Sequence, residues 1–262
     1  FTFKEGRQEG LSTKWHDNGK KEGEVRYKEG KPEGPYTNWY DNGQKVEEGS
    51  FKNGQVEGLA TLWYDNGEKE AEIIYKDGKQ EGPYTKWHKN SQKEEEGIYK
   101  NGKLEGLVTK WHENGQKAGY ATYKNGQLEG LLSQWNEKGE KETEITYKDG
   151  KREGPYAKWH QNGKKAEEGT YKNGQLEGLA TLWNENGQKV GDVTYKEGKQ
   201  EGQATKWHNN DQKSGECIYK NGQLDGPYTT WHENGKKQEE GAFKNGQLEG
   251  HATKWHENGQ KA

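Results

Sequence analysis

The chain has 262 residues, with 41 Lys and Arg against 44 Asp and Glu, a formal charge of -3, one Cys and no Met. A charge this near zero excludes the electrostatic footprint of a nucleic-acid binder, which needs roughly 6 to 10 uncompensated basic contacts. No run approaches the roughly 18 apolar residues of a membrane-spanning helix, and one Cys excludes an internal disulfide or a cysteine-rich metal cluster, leaving the redox compartment open. The opening Phe1-Thr2-Phe3-Lys4 is neither a start Met nor a signal peptide, so the sequence reads as a processed or trimmed chain.

Leu, Ile, Val and Phe together make 28 of the 262 residues, well below the roughly 20% at which a highly charged chain defaults to disorder. Here the acids and bases cancel, and 26 Trp and Tyr replace the missing aliphatics. Each such ring buries about 150 to 250 Å² when packed, so an aromatic framework is expected to hold the fold together.

Taken in chain order, the sequence is one repeat. Trp falls at 15, 39, 63, 87, 111, 135, 159, 183, 207, 231 and 255, always 24 apart. A second aromatic keeps the same step from Phe3 and Tyr27 through Phe51 to Phe243. Eleven 24-residue units account for residues 1–262 with no second domain and no linker. Each unit carries two turn signals half a period apart, as at Asn42-Gly43 and Asn53-Gly54. Asn-Gly favours a two-residue type I′ hairpin turn, with positive φ at both positions. Two tight turns per unit imply two antiparallel strands, about 22 in all, and leave no room for helical periodicity. The predicted fold is all-β: an elongated, single-layer, twisted antiparallel meander of about 11 β-hairpins, a ribbon on the order of 105 Å long. Neighbours contact only neighbours in such a solenoid, so terminal units are expected to fray first.

A two-residue turn at Asn42-Gly43 registers the hairpin. It pairs Tyr36 with Gly49, Gly34 with Phe51 and Glu33 with Lys52. In the same register Tyr84, Tyr156 and Tyr228 face Gly97, Gly169 and Gly241, whereas small first positions face a side chain, as in Ala60/Ile73, Ala180/Val193 and Ala204/Cys217. Two explanations fit: cross-strand volume compensation, or common ancestry, since the four Tyr units also share Pro35, Pro83, Pro155 and Pro227. Gly34 and its equivalents are expected to leave room for the opposite ring. The acid before each is expected to pair across the strands with Lys, as Glu33 with Lys52, at about 0.2 to 1 kcal/mol per pair. Tyr36, Gly49, Phe51, Gly34, Tyr156 and Gly169 are therefore structural candidates.

The units `YKNGQLEGLATLWNENGQK` and `GPYTKWHKNSQKEEEGIYKNG` resemble the bacterial variant of the MORN repeat (membrane occupation and recognition nexus), a variant found in proteins labelled YwqK-family antitoxins. The resemblance covers all eleven units. It rests on aromatic-Lys-Asn-Gly, on Glu-Gly four residues later, and on Trp/Tyr-x-x-Asn-Gly-x-Lys. It implies a β-hairpin repeat used as a scaffold. It does not transfer a membrane role, because this chain departs from the eukaryotic pattern in its 24-residue period.

Seven His follow the repeat Trp, from His16 to His256. Equivalent residues lie two strand spacings apart, about 9.6 Å, too far to share one metal ion. Tyr40, Tyr64, Asn136 and Asn184 fill the same slot. Cys217 sits in the compensation slot as a small hydrophobe. Translation by 24 residues makes the carboxylate environments alike, whereas general acid and base catalysis needs two different ones. No catalytic residue, metal or cofactor is expected. Alternation along the strand places Trp39 on the face opposite Tyr36 and Phe51. The column Trp87, Trp111, Trp135, Trp159 and Trp183 is the candidate binding surface, with Lys and Glu stems folded over it as the alternative. Two irregularities stand out. Asn90-Ser91 and Asn210-Asp211 lack the turn Gly and are expected to strain a type I′ turn or change its type, and Tyr120 replaces an acid. The expected partner is a protein or a second copy of the chain. Glycan or lipid headgroup binding by the Trp column is the alternative, and head-to-tail self-assembly a third reading.

Overall fold

The computed structural model describes residues 2–262. Strands run from Thr2–Lys4 to Gln247–Lys254 without a helix among the described residues, and within each of two compact units they pair antiparallel in chain order. The all-β antiparallel fold of 24-residue hairpin repeats is as the sequence reading has it. There are 25 strands rather than 22 because three of them are interrupted, at Glu57, Glu105 and Glu177. At each break the Glu amide donates to a carbonyl of the neighbouring strand, Ser50, Ile98 and Thr170 respectively, at 2.8 to 2.9 Å.

Two compact units divide the chain: Phe1–Glu129 with 137–139, and 130–136 with Glu140–Ala262. In the first, Tyr36 pairs with Gly49 and Gly34 with Phe51, in the register read from the sequence. A Cβ built on Gly49 would lie 2.8 Å from Cε1 of Tyr36, so the ring occupies the volume any side chain there would need. Tyr36 also stacks on Phe51 at 4.6 Å between centroids, and its hydroxyl donates to Glu47 Oε1 at 2.5 Å. Tyr84 repeats the arrangement with Gly97, Tyr99 and Glu95. Between the two, Ala60 faces Ile73, and Ala71, Ile73 and Tyr84 form a buried cluster flanked by Leu62 and Tyr75. In the second unit Tyr156 covers Gly169 and Tyr228 covers Gly241, each at 2.8 Å from the position of an added Cβ. Volume compensation across the strands is thus a physical contact.

The two turns of each repeat differ, which corrects the sequence reading. Asn53 and Gly54 have φ of 53° and 84°, with Lys52 paired to Gln55, the expected type I′ turn. At Asn42-Gly43 only Gly43 has positive φ, 91°. Its amide donates to the Tyr40 carbonyl at 2.9 Å, and the Tyr40 amide to Gln44 at 2.8 Å, so the loop holds three residues: a type I turn closed by a left-handed Gly. The Asn42 side chain selects this geometry, because its Oδ1 accepts the Gln44 amide at 2.8 Å. Ser91 and Asp211 take the left-handed place of the Gly with φ of 65° and 63°, and the same turn forms around them.

Gly34 also has a different role from the one expected. Tyr27 pairs with Pro32 but Val25 pairs with Tyr36, so Glu33, Gly34 and Pro35 bulge opposite the single residue Arg26. A Cβ on Gly34 would meet nothing within 4 Å, yet its φ is +81°. The conformation requires glycine, not the neighbouring ring.

Candidate binding surfaces

The three-residue turn has a consequence on the Trp face. Asn38 pairs with Glu47 but Trp39 pairs with Lys45, leaving Val46 as a bulged residue. Strict alternation would put Lys45 and Glu48 on opposite faces. The bulge brings them to one face, where they form an ion pair. The same pair recurs as Lys21–Glu24 at 2.5 Å, Lys93–Glu96 at 2.8 Å and Lys165–Glu168 at 2.6 Å.

Each such lysine then lies over the tryptophan of the next repeat. In the first unit Lys69 stands 5.9 Å from the ring centroid of Trp87 and Lys93 5.4 Å from that of Trp111. In the second, Lys141 stands 5.0 Å from Trp159 and Lys165 5.6 Å from Trp183. Trp135 has Lys141 at 5.8 Å. These are cation–π distances. All five candidate tryptophans are half-buried, whereas Trp15, over which no such lysine lies among the described residues, is 58% exposed. Lysine side chains therefore lie over these rings. Tyr120, in an acid's place, takes Lys117 over its own ring at 5.9 Å.

The histidines after Trp belong to the edge of the sheet. His16 Nε2 lies 2.8 Å from the Trp39 carbonyl, and His88, His160, His208 and His232 make the same contact to Trp111, Trp183, Trp231 and Trp255. A carbonyl only accepts, so each Nε2 carries a proton. Tyr40 and Tyr64 donate their hydroxyls to the equivalent carbonyls, which explains why Tyr substitutes for His. Beside them the turn asparagines donate to the next turn, as Asn42 to the Asp65 carbonyl at 2.8 Å and Asn162 to Glu185 at 2.6 Å.

In repeats such as those of Glu33 and Glu105 the acid of Glu-Gly takes a backbone amide rather than the Lys expected. Glu33 Oε2 accepts the Asn53 amide at 2.7 Å and Glu105 the Asn125 amide at 2.8 Å, so the carboxylate caps the type I′ turn. Only Asp225 adds the expected ion pair among the described residues, with Lys244 at 3.3 Å. The shorter acid leaves the capping contact to Asn245 long, at 3.3 Å.

On the opposite face, burial raises the titration of the Tyr hydroxyls, reinforced by their carboxylate partners: Tyr228, beside Glu239, is pushed up to about 12. Burial works to raise Glu95, but Lys110 at 2.8 Å and the Tyr84 hydroxyl outweigh it, so the carboxyl is held below its usual range. Burial raises the Cys217 thiol, keeping it protonated.

Sequence reasoning missed a row of exposed aliphatic side chains at the residue after Glu-Gly, on the Trp face. Leu11, Leu59 and Leu107 in the first unit and Leu179 in the second are each 52 to 55% exposed, and proline fills the same slot at Pro35, Pro83, Pro155 and Pro227. Its sequence signal is the Leu or Pro that follows nearly every Glu-Gly.

The MORN repeat variant family matches residues 8–29, 32–53, 56–77, 104–125, 152–173, 176–197 and 224–245, and the MORN repeat family matches 240–261. No curated protein matches the chain. Among solved structures, the crystal structure of TcdB2-TccC3-Cdc42 is similar at 10% identity and a TM-score of 0.22, over 96% of this chain and 17% of that one. TcdB2-TccC3-TEV is similar at 11% and 0.19, over 96% and 16%. The present chain spans about a sixth of the length of either. With repeat matches over more than half its length, the chain belongs to the MORN repeat variant family.

Proposed function

We propose that the chain is a non-catalytic β-repeat scaffold or adaptor that binds another protein across several repeats. The supporting observation is the row of exposed Leu and Pro at one slot in the first unit, with Leu11, Leu59 and Leu107 each more than half exposed on the face that carries the Lys–Glu pairs. Exposed apolar side chains repeated at one slot and rimmed by charge suit a protein interface. Repetition of the same environment every 24 residues offers no pair of differently tuned catalytic groups. The closer kinship to YwqK-type antitoxins belongs to the same proposal, since an antitoxin acts by binding another protein. Lysine cover on the tryptophans weighs against the second reading, repetitive stacking of glycans or lipid headgroups on the Trp column.

The test is affinity capture from a bacterial extract with the wild-type chain and with Leu11→Ser/Leu59→Ser/Leu107→Ser. A stoichiometric protein retained by the first and lost by the second, with both equally folded, is expected. Equal retention by both would overturn the assignment to this row.

A further inference from the structure

On the Tyr face, the four Tyr–Glu pairs are spaced so that small residues fall between them. In the second unit two consecutive repeats lack the ring: Ala180 and Ala204 stand where Tyr156 and Tyr228 stand on either side. The same two repeats also lack the carboxylate, with Gly191 and Gly215 at the positions of Glu167 and Glu239. Removing two rings and two acids side by side opens a cavity of about 620 Å³. Its floor is Ala204, Gly215 and Cys217, and its walls include Val193, Tyr219 and Tyr228. Mostly apolar clefts of about 300 to 1,000 Å³ with a few polar groups are the size class of small-molecule sites.

One charge at this cavity is unusual in its own repeat series. Lys110 reaches Glu95 and Lys158 reaches Glu167, because the strands beside them supply an acid at that level. Lys206 is paired on one side with Gly191 and on the other with Gly215. It lines the cavity together with Glu216, but that acid is paired with Lys213 at 2.9 Å, and Lys206 makes no ion pair among the described residues. Thr230, on the far side of Gly215, places a hydroxyl-bearing side chain at the same level of the cavity wall. The site therefore joins an apolar aromatic-walled trough to one uncompensated cation.

We propose that this trough binds a small amphipathic carboxylate, its apolar body over Ala204 and Cys217 between Tyr219 and Tyr228, and its carboxylate on Lys206. Charge complementarity selects the head group, because an acid restores at Lys206 the pairing that Glu95 and Glu167 give to Lys110 and Lys158. The protonated thiol of Cys217 adds no competing negative charge to the floor. The proposal is independent of the protein-binding row, which lies in the first unit.

The experiment is titration of the full chain with 2-naphthoate and with neutral 2-naphthamide, followed by backbone amide shifts. Naphthoate is expected to bind at about 1 mM or tighter, with shifts confined to the repeats around residues 193–230. Naphthamide is expected to bind at least about 5-fold more weakly, and Lys206→Met to remove that preference. Gly215→Ala/Cys217→Ile copies the Ala60, Ala71, Ile73 and Tyr84 arrangement that packs closed in the first unit. It is therefore expected to fold, with an unchanged strand spectrum, and to abolish binding. Equal binding of acid and amide, retained binding in the filled variant, shifts scattered over the chain, or no shift at about 10 mM ligand would each overturn the proposal.

Discussion

The hydroxyl of Tyr84 donates to Oε1 of Glu95 at 2.6 Å, and the same carboxylate takes Lys110 Nζ at 2.8 Å on its other oxygen. Glu95 is 8% exposed, a buried acid satisfied by one hydroxyl and two cations, with Lys86 Nζ also 3.5 Å from Oε1. Its titration is depressed in the folded state, so its contribution is fully present above the usual carboxylate range and is lost as pH falls through the lowered folded value. Protection of the repeat around Glu95 is expected to fall with acid in the parent chain, and this part of the pH dependence is expected to be lost in Glu95→Gln. That variant also removes the counter-charge of Lys110, whose side chain is 60% exposed, and is expected to lose about 1 to 2 kcal/mol at pH 7. Amide exchange of residues 84–110 against pH measures it.

Tyrosine titration gives the opposite sign at the alkaline end. Raised folded values mean that the stability from Tyr84, Tyr156 and Tyr228 is present below about pH 10 and is lost as pH rises through the folded values, about 12 for Tyr228. Ultraviolet difference titration is expected to show these phenols ionising only as the sheet unfolds.

Gly49 and Tyr36 are expected to couple. Gly49→Ala forces a methyl against a ring atom 2.8 Å away and is expected to cost about 1 to 3 kcal/mol. Tyr36→Ala/Glu47→Ala/Gly49→Ile reproduces the pattern of Ala60, Ala71 and Ile73, and is expected to recover most of that loss. A urea denaturation cycle reads the coupling. Strict additivity would leave ancestry as the explanation for the Tyr–Gly coincidence.

Two backbone substitutions separate space from conformation. Gly34→Ala meets nothing within 4 Å, yet is expected to lose about 1 to 2 kcal/mol because φ is +81°. Asp211→Gly, at φ of 63° in the turn where other repeats hold Gly, is expected to gain about 1 kcal/mol. Thermal denaturation of each against the parent chain decides both.

The edge ladder predicts a substitution rule. His88→Tyr retains a donor for the Trp111 carbonyl, as Tyr64 does for Trp87, and is expected to change stability little. His88→Ala removes the donor and is expected to cost about 1 kcal/mol. In the same spirit, Lys165→Ala uncovers Trp183 and is expected to raise its quenching by acrylamide.

The amino-acid sequence by itself determined the repeat length, the antiparallel hairpins and the pairing of Tyr36 with Gly49, because those follow from a fixed period and from turn residues local to each strand. It also marked Tyr120, Ser91 and Asp211 as irregular, though not how they are absorbed. What the tertiary structure decided was everything that depends on one extra residue. The Asn42 side chain selects a three-residue turn over type I′, the bulge at Val46 swings Lys45 onto the Trp face, and that lysine covers Trp63 of the next repeat. Turn chemistry at Asn42-Gly43 is compatible with both loops, and only the contacts made by Asn42, Glu48 and Trp63 across strands tip the balance. The trough at Lys206 was hidden for a related reason: each of its small residues is unremarkable alone. Two adjacent vacancies in a translated lattice become a cavity only when the neighbouring strands are laid side by side.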